Sequence, residues 1–369
     1  MGSTVNRKEL FRWRGKLHRG FLIIQNHDLH AGFGALLIYA LNGIRKAESM
    51  STIPVIDFND KNCPYFFDAK KGNQVWEYFF EKTSPYSYEE VRNWVLDGTI
   101  SEEKIHFIDA SEAAKSHQHD PDRLATFWAW QEPEDKALWM NEKRSLGRKY
   151  IQEYINPQSH ILEKVTHFVE TRFKSDLIIG LHIRGTDFAY AKPTPLEAYF
   201  NEIDEQIRSH GQANYQVYVA TDQQQYLEAF KERYSDKVVH LDAVRSENHI
   251  APFRFEQISG YQKGEEVLMD ILILSQCHHI IKGAAATGEL ASWFCTHNNI
   301  SDFAILSEFN KRPYSKLEST YSQLNIDQKS KLRRTTHVLH ERMIRRFIES
   351  KIGKAIYYRS ALARKILKH

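Results

Sequence analysis

Several features that define other protein classes are missing from this sequence. Its 369 residues contain only three cysteines, Cys63, Cys277 and Cys295, which are odd in number and lack the spacing of metal ligands. Free thiols of this kind are typical of a reducing cytoplasm. No apolar run approaches the roughly 20 residues that span a bilayer, and residues 1–19 have no apolar signal-peptide region. We therefore expect a cytoplasmic protein without membrane-spanning segments.

Two motifs of nucleotide and metal chemistry are absent or weak. There is no G-x-x-x-x-G-K-[ST], which argues against a P-loop kinase or sulfotransferase. Asp120-Pro-Asp122, preceded by His117 and His119, matches the D-x-D of metal-dependent sugar transferases. An Asp-Pro pair favours a turn, however, and no predicted strand precedes this segment. We interpret it as a solvated loop and predict no metal site.

The net charge of +3 is unevenly distributed along the chain. Residues 329–369 carry thirteen Lys/Arg against two Glu, whereas the rest of the chain is acidic. Apolar residues such as Leu339, Met343 and Phe347 recur at helical spacing between the basic ones, which predicts a basic amphipathic helix. Such a helix can lie on an anionic membrane surface or dock on the acidic remainder of the protein. No base-stacking pattern accompanies the charge, so nucleic acid is not an expected partner.

Strand and helix patterns alternate over most of the chain. A predicted strand at 20–25, a glycine turn, a helix at 35–47 and a strand at 53–58 form one parallel crossover unit. A longer series of alternating strands and helices is predicted from 176 to 310. For the intervening segment 59–145 we predict helices and long loops. This order predicts an α/β fold with parallel sheets. We expect Rossmann-like domains at 1–150 and 151–315, and a helical tail at 316–369.

Polar residues gather where predicted strands of the second half end. One strand ends in His182-Ile-Arg-Gly-Thr-Asp187, the next in Thr221-Asp222, and a third in Lys282-Gly283. The carboxyl ends of parallel strands lie along one edge, where open α/β sheets bind ligands. The sequence therefore predicts a ligand site at this edge.

The residue types at this edge suit a nucleotide. Arg184 offers a planar charged fork for a phosphate, and the helix after Gly283 offers free amides. Asp222 or Asp270 can meet a ribose hydroxyl or a base N–H. The turn containing Gly32 and Gly34 is interpreted as a ligand-facing turn from the opposite wall of a cleft.

Each of these residues also has an ordinary structural interpretation. Arg184 can form a surface ion pair, and Thr221-Asp222 is a good N-cap for the helix that follows it. Small residues after Gly283 permit close packing of a helix on a sheet, and Gly32-Phe-Gly34 lacks the third glycine of a dinucleotide motif. Asp270 is harder to explain, because a carboxylate inside an apolar helix is costly unless it is paired.

These motifs together resemble the fucosyltransferase superfamily that includes the α1,6-fucosyltransferases, the rhizobial nodulation fucosyltransferase and the protein O-fucosyltransferases. His182-Ile-Arg-Gly-Thr-Asp187 looks like the superfamily's His-x-Arg-Arg-Thr-Asp, and Val219-Ala-Thr-Asp222 is similar to its Ala-Thr-Asp. Leu268-Met-Asp270-Ile-Leu-Ile-Leu-Ser-Gln276 resembles Leu-Asp-x-x-x-Leu-Ser-Gln, and Gly32-Phe-Gly34-Ala-Leu36 resembles the glycine turn of the N-terminal half.

The resemblance implies a GT-B fold, with two Rossmann-like domains around a cleft. It implies that Arg184 binds the β-phosphate of GDP-fucose and that Asp222 and Asp270 contact the nucleoside. It also implies transfer with inversion at the anomeric carbon and without a metal ion.

Three positions depart from the superfamily pattern. Gly185 replaces the second arginine, so a phosphate contact must be absent or come from Lys282 or Arg254. Residues 284–286 are alanines where many relatives have serines, which leaves Thr287 as the nearest hydroxyl. No carboxylate lies between 188 and 195, where the α1,6 enzymes have a glutamate base, so Asp187 and Glu197 are the nearest substitutes.

The resulting candidates form two sets. The candidate catalytic residues are Arg184, Asp187 and Glu197. The candidate nucleotide-binding residues are Gly32, Gly34, His182, Arg184, Asp222, Asp270, Lys282, Gly283 and Thr287.

The functional expectation is an inverting, metal-independent glycosyltransferase that moves fucose from GDP-fucose to a glycan hydroxyl and needs no cofactor besides this donor. Because the basic tail suits a membrane surface, we expect a lipid-linked acceptor at the inner face of the cytoplasmic membrane, as in surface polysaccharide or glycolipid assembly. The alternatives are a transferase of the same fold with another nucleotide sugar, and a degenerate nucleotide- or glycan-binding protein.

Overall fold

The computed structural model describes residues 11–115, 122–128, 132–186, 191, 193–211, 214–248, 250–297 and 299–307. The chain divides into two compact units, Met1–Lys311 and Arg312–His369, and every described residue belongs to the first. The predicted helical tail, Asp187 and most of the D-x-D segment therefore lie outside the described residues.

Parallel sheets organise the first unit, as predicted. An antiparallel hairpin of β1 (Phe11–Trp13) and β2 (Lys16–His18) precedes them. A parallel sheet with the order β4-β3-β5 consists of β3 (Phe21–Gln25), β4 (Ile53–Ile56) and β5 (Ile105–Asp109). A larger parallel sheet with the order β10-β9-β6-β7-β8 consists of β6 (Leu177–Ile183), β7 (Tyr215–Thr221), β8 (Val238–Val239), β9 (His279–Lys282) and β10 (Ile300–Asp302).

Helices connect and cover these strands. They are α1 (Phe33–Ser49), α2 (Tyr88–Leu96), α3 (Ala110–Lys115), α4 (Lys136–Tyr154), α5 (Ser159–Arg172), α6 (Leu196–Ser209), α7 (Gln224–Tyr234), α8 (Gly260–Leu274) and α9 (Ala286–Phe294). Pro157 separates α4 from α5, as its missing N–H predicts. The domain boundary expected after residue 150 falls inside α4, and the two-domain division stays a prediction. Among the described helices, none is long and apolar enough to cross a membrane.

The strand β6 lies at the centre of the larger sheet and is buried along its whole length. Its odd-numbered residues, such as Ile179, pack in one apolar cluster with Tyr199 of α6 and Phe230 of α7. Ile178 belongs to the cluster on the other face, with Leu268 of α8. Burial of an aliphatic side chain of this size stabilises the fold by about 1.5–3 kcal/mol. The continuous apolar run is thus explained by two covered faces.

The strand order creates a switch point in each parallel sheet. In the larger sheet the chain adds β7 and β8 on one side of β6, then crosses to add β9 and β10 on the other. In the smaller sheet it adds β4 on one side of β3 and β5 on the other. Connections leave such neighbouring strands in opposite directions, so a crevice opens at their carboxyl ends. These crevices lie between β6 and β9, and between β3 and β5.

Two elements differ from the sequence prediction. β5 lies in the segment interpreted as helices and long loops, because His106 and Phe107 are exposed on this edge strand and interrupt the apolar pattern. The apolar run at 303–306 predicts a strand from the sequence, but β10 precedes it and ends at Asp302, and the apolar residues form a turn.

Candidate active site

Arg184 stands at the carboxyl end of β6 and is held there by Asp222, which follows β7. The Arg184 Nε lies 3.1 Å from Asp222 Oδ2, and the arginine side chain is 28% exposed. The same carboxylate accepts the Gly185 N–H at 2.7 Å through Oδ1 and the hydroxyl of buried Thr186 through Oδ2. One carboxylate therefore orients both the guanidinium group and the turn that carries it.

Asp222 does not cap the helix that follows it. The N-cap of α7 is Gln223, which makes no side-chain cap. The N-cap interpretation of Asp222 is therefore wrong, because its oxygens are directed to the 184–186 turn instead. The Thr221 hydroxyl accepts the N–H of Gln223 at 3.3 Å.

Gly185 is confined by α7 and its N-cap. A Cβ atom at this position would lie 2.6 Å from Cβ of Gln223 and 2.6 Å from Cε2 of Tyr226. Carbon atoms cannot approach so closely, so a side chain is sterically excluded here. The absence of the superfamily's second arginine is consistent with this packing.

His182 lies beneath Arg184, buried near the end of β6. Burial lowers the pKa of His182 to about 3, with the positive charges of Arg184 and Lys282 acting in the same direction. Its Nδ1 atom has no hydrogen-bond partner in the described part of the chain. The imidazole is therefore neutral near pH 7 and adds no cation to the site.

The starts of α1 and α9 meet beside this strand end. A Cβ atom at Gly34, in the first turn of α1, would lie 2.9 Å from Cβ of Ala286, the first residue of α9. The N-caps, Gly32 and Ala285, make no side-chain cap. Helix starts without side-chain caps present N–H groups and the positive end of the dipole to an anion. The structure thus brings the Gly32–Gly34 turn and the predicted phosphate-binding helix start together.

Gly283 and Thr287 lie at the same helix start. A Cβ atom at Gly283 would come within 2.8 Å of the Tyr199 hydroxyl, so the backbone there is closely approached by α6. Thr287 is the second residue of α9 and is partly exposed.

Phe253 lies between Arg184 and the turn that contains Gly32. It was not singled out from the sequence. Its ring centroid lies 6.0 Å from the Arg184 guanidinium carbon and 5.2 Å from that of Arg254. It also contacts the Tyr65 ring at 5.2 Å and approaches Gly32. Its only sequence signal is an aromatic residue between Pro252 and Arg254 in a polar segment.

Asp270 lies on α8 beneath β7. Its Oδ1 accepts the hydroxyl of fully buried Tyr218 at 2.6 Å, which explains how a carboxylate is tolerated in an apolar helix. Burial raises the pKa of Asp270 to about 7, against the opposing effects of Tyr218 and Arg245. The protein thus holds a carboxyl group that titrates near neutrality.

Lys282 lies at the end of β9, but its ammonium group is buried in an ionic network. The Lys282 Nζ lies 2.8 Å from Glu289 Oε2 and 2.9 Å from Asp302 Oδ1. Arg144 of α4 donates to Glu289 twice at 3.0 Å and also to Asp302. Two carboxylates therefore match two cations inside the fold, and a phosphate contact by Lys282 would require breaking these pairs. None of Arg144, Glu289 and Asp302 was singled out from the sequence.

The candidate bases are less well defined. Glu197 is exposed in the first turn of α6, and Asp187 lies outside the described residues. Among the described residues there is no group of three His, Cys, Asp or Glu that could hold a metal ion.

No protein-family model and no curated protein sequence matches the chain. The structure is similar to solved structures of fucosyltransferases. NodZ α-1,6-fucosyltransferase soaked with GDP-fucose is 16% identical, with 80% of this chain and 99% of that chain covered and a TM-score of 0.44. POFUT1 in complex with GDP-fucose is 10% identical, with 77% and 98% covered and a TM-score of 0.42. FUT1 of Arabidopsis thaliana in complex with GDP is 11% identical, with 74% and 68% covered and a TM-score of 0.40.

Proposed function

We propose that the protein is a glycosyltransferase that uses a GDP-sugar, most specifically GDP-fucose, as donor. The observation that carries this proposal is Arg184, held by Asp222 at the switch point of a parallel sheet beside the uncapped start of α9. A fixed guanidinium and helix N–H groups suit a diphosphate. The choice of GDP and fucose rests on the resemblance of the motifs around Arg184, Asp222 and Asp270.

In this proposal the bond between the anomeric carbon and the β-phosphate breaks, and negative charge develops on the departing diphosphate. Arg184 and the N–H groups at the starts of α1 and α9 stabilise that charge without moving. Asp222 keeps the guanidinium in place, and the nucleoside contacts Asp270 through the oxygen that Tyr218 does not occupy. Lys282 is left out of the phosphate contacts because its charge is already paired. Inversion and metal independence are inferred from the resemblance alone.

Donor turnover tests the proposal. The protein is incubated with GDP-fucose, GDP-mannose, UDP-glucose and CMP-sialic acid and with a panel of glycan and lipid-linked glycan acceptors. Nucleotide release and product masses are measured. We expect transfer from GDP-fucose above background. Turnover of another donor in its place would contradict the donor assignment, and no turnover of any donor would contradict the transferase assignment.

The acceptor and the cellular place of the reaction are proposed from the sequence alone. The basic pattern of residues 329–369 suits an anionic membrane surface. We infer a cytoplasmic enzyme that works at the inner face of the membrane on a lipid-linked glycan, in surface polysaccharide or glycolipid assembly.

A binding protein without turnover is the second candidate function. The packing around Gly185 favours it, because that position cannot supply the superfamily's second phosphate-binding arginine. Such a protein would bind GDP-fucose and leave it intact through the turnover measurement above.

A further inference from the structure

The geometry points to His27, oriented by Asp109, as the base that accepts the proton of the acceptor hydroxyl. This assignment rests on the proposed glycosyl transfer, which needs a group to take that proton. Among the described residues, none forms a hydrogen bond or ion pair that would orient Glu197. The opposite wall of the site holds a better-organised pair.

His27 and Asp109 occupy the switch point of the smaller sheet. Asp109 is the last residue of β5 and pairs in register with Gln25, the last residue of β3. His27 follows two residues after that strand end. The two residues thus flank the crevice between β3 and β5, the position in which a parallel sheet binds ligands.

The pair has the arrangement of a base and its orienting carboxylate. The His27 Nδ1 lies 3.6 Å from Asp109 Oδ2, within ion-pair distance. Asp109 is fixed by the N–H of His27, the N–H of Ser111 and the hydroxyl of Ser111. Its side chain is 16% exposed, whereas that of His27 is 64% exposed. A carboxylate held in this way orients the imidazole ring.

The turn that carries His27 runs directly into the donor site. It ends at Gly32, the N-cap of α1, whose start contacts α9. In the same turn, the His30 ring nitrogen lies 3.5 Å from the Tyr65 hydroxyl, and the Tyr65 ring contacts Phe253, which lies over Arg184. The turn from His27 to Gly32 therefore connects the proposed base to the donor site.

The step balances with the groups present. The acceptor oxygen forms a bond to the anomeric carbon while the bond from that carbon to the β-phosphate oxygen breaks. The hydroxyl proton passes to Nε2 of His27, and the leaving electron pair stays on GDP. Asp109 compensates the positive charge of the imidazolium until the proton is released to solvent.

Hydrolysis and transfer by the full chain test this assignment. Turnover of GDP-fucose is measured with water as acceptor and with the best acceptor of the donor screen, for the wild-type protein and His27→Ala. We expect kcat to fall about 10²–10⁴-fold, the contribution of a general base, with the GDP dissociation constant unchanged within twofold. Added imidazole should restore part of the lost rate. Asp109→Asn should also lower kcat, because it removes the charge and places an amide N–H against Nδ1, which favours the tautomer that cannot accept a proton at Nε2.

His106→Ala is the matched control, since His106 is an exposed histidine on the same strand as Asp109. It should retain the wild-type rate. A His27→Ala protein with a kcat within threefold of wild type would overturn the assignment and leave the transferase intact. Loss of GDP affinity together with activity, without rescue by imidazole, would also overturn it, because His27 would then be structural. A wild-type protein without turnover would overturn the proposed function and this assignment with it.

Discussion

At the scale of single residues, Asp222 restricts the conformations of the Arg184 side chain. An arginine at the end of a strand has many rotamers, and ordering such a side chain costs about 2 kcal/mol of conformational entropy. The contact with Asp222 limits this freedom before any ligand binds. The Asp222 carboxylate is itself fixed by hydrogen bonds from the Gly185 N–H and the Thr186 hydroxyl. The site is therefore organised in advance for an anion.

The sequence predicted correctly that Arg184 and Asp222 follow strands of one parallel sheet, but it did not predict their contact with each other. Arg184 and Asp222 were found from motifs and strand patterns, because these patterns consist of residues that are neighbours in the sequence. The pairing of Asp222 with the 184–186 turn depends on the register of β6 and β7, and the burial of Lys282 depends on Glu289 and Asp302. Such long-range contacts leave no local pattern.

Restoring the second arginine of the superfamily at position 185 should damage the site. We expect Gly185→Arg to weaken GDP binding rather than strengthen it, because its Cβ would displace Gln223 and Tyr226 and disturb the Asp222 contacts. The overpacking should also lower the free energy of unfolding by about 1–3 kcal/mol. Calorimetry and urea denaturation measure both effects. Ser209→Arg, at an exposed position of α6, is the control. Tighter GDP binding by Gly185→Arg would refute the packing explanation.

Asp270 should make stability depend on pH near neutrality. Because its folded-state pKa is raised to about 7, its contribution to stability is fully present below its ordinary pKa and is lost as the pH rises through 7. Asp270→Asn keeps an acceptor for Tyr218 and removes the charge. Between pH 5 and pH 8 the wild-type free energy of unfolding should fall relative to this variant by about 2–4 kcal/mol.

Urea denaturation at several pH values provides this measurement. Asp176→Asn, which removes an exposed carboxylate, should parallel the wild type. A difference between wild type and Asp270→Asn that is the same at pH 5 and pH 8 would show that Asp270 does not titrate in this range.

At the scale of secondary-structure elements, α9 contributes both to the candidate site and to the buried ionic network. Its start lies against α1 at the site, and its Glu289 joins Lys282 of β9, Asp302 of β10 and Arg144 of α4 in the buried network. Burial alone would raise the pKa of Glu289, but Lys282 and Arg144 outweigh it and keep the carboxylate ionised. The network therefore fixes the helix whose N–H groups face the proposed diphosphate.

The sequence predicted these elements with uneven success. Buried strands and amphipathic helices such as β6, β7 and α8 carry strong apolar patterns, and the predicted alternation of strands and helices rested on them. The edge strands β5 and β10 were missed or displaced, because a half-exposed strand has no continuous apolar run.

Neutralising Glu289 should destabilise the protein strongly. Glu289→Gln leaves two buried cations facing one remaining carboxylate, and loss of one partner of a buried ion pair costs about 3–5 kcal/mol. Thermal and urea denaturation should show this loss. Glu232→Gln, at an exposed position of α7, should change the free energy of unfolding by less than about 0.5 kcal/mol. Equal stabilities of the two variants would contradict the network.

At the scale of the whole molecule, two parallel sheets and a basic C-terminal segment have separate tasks in the proposed function. The larger sheet supplies Arg184 and the start of α9, whereas the smaller supplies the turn from His27 to Gly32. Alternation of strands and helices predicted both sheets. Their strand orders, and hence the switch points, came only from the structure, since order in a sheet depends on which crossover direction the chain takes.

The basic segment should determine membrane association. A variant lacking residues 329–369 should no longer sediment with vesicles that contain phosphatidylglycerol, because about 1 kcal/mol of attraction per basic residue is removed. Neither protein should sediment with phosphatidylcholine vesicles at physiological salt. Unchanged sedimentation of the shortened protein with the anionic vesicles would refute the membrane role.

Calorimetric titration with GDP, UDP, CMP and ADP tests whether Arg184 organises a binding site for the diphosphate of GDP. GDP should bind most tightly, and Arg184→Ala should weaken its binding by at least about 2 kcal/mol, the scale of a charged phosphate contact. Arg208→Ala, which removes an exposed arginine of α6, should leave the affinity unchanged. Equal binding of the four nucleotides, or equal GDP affinity of Arg184→Ala and wild type, would show that Arg184 does not organise such a site.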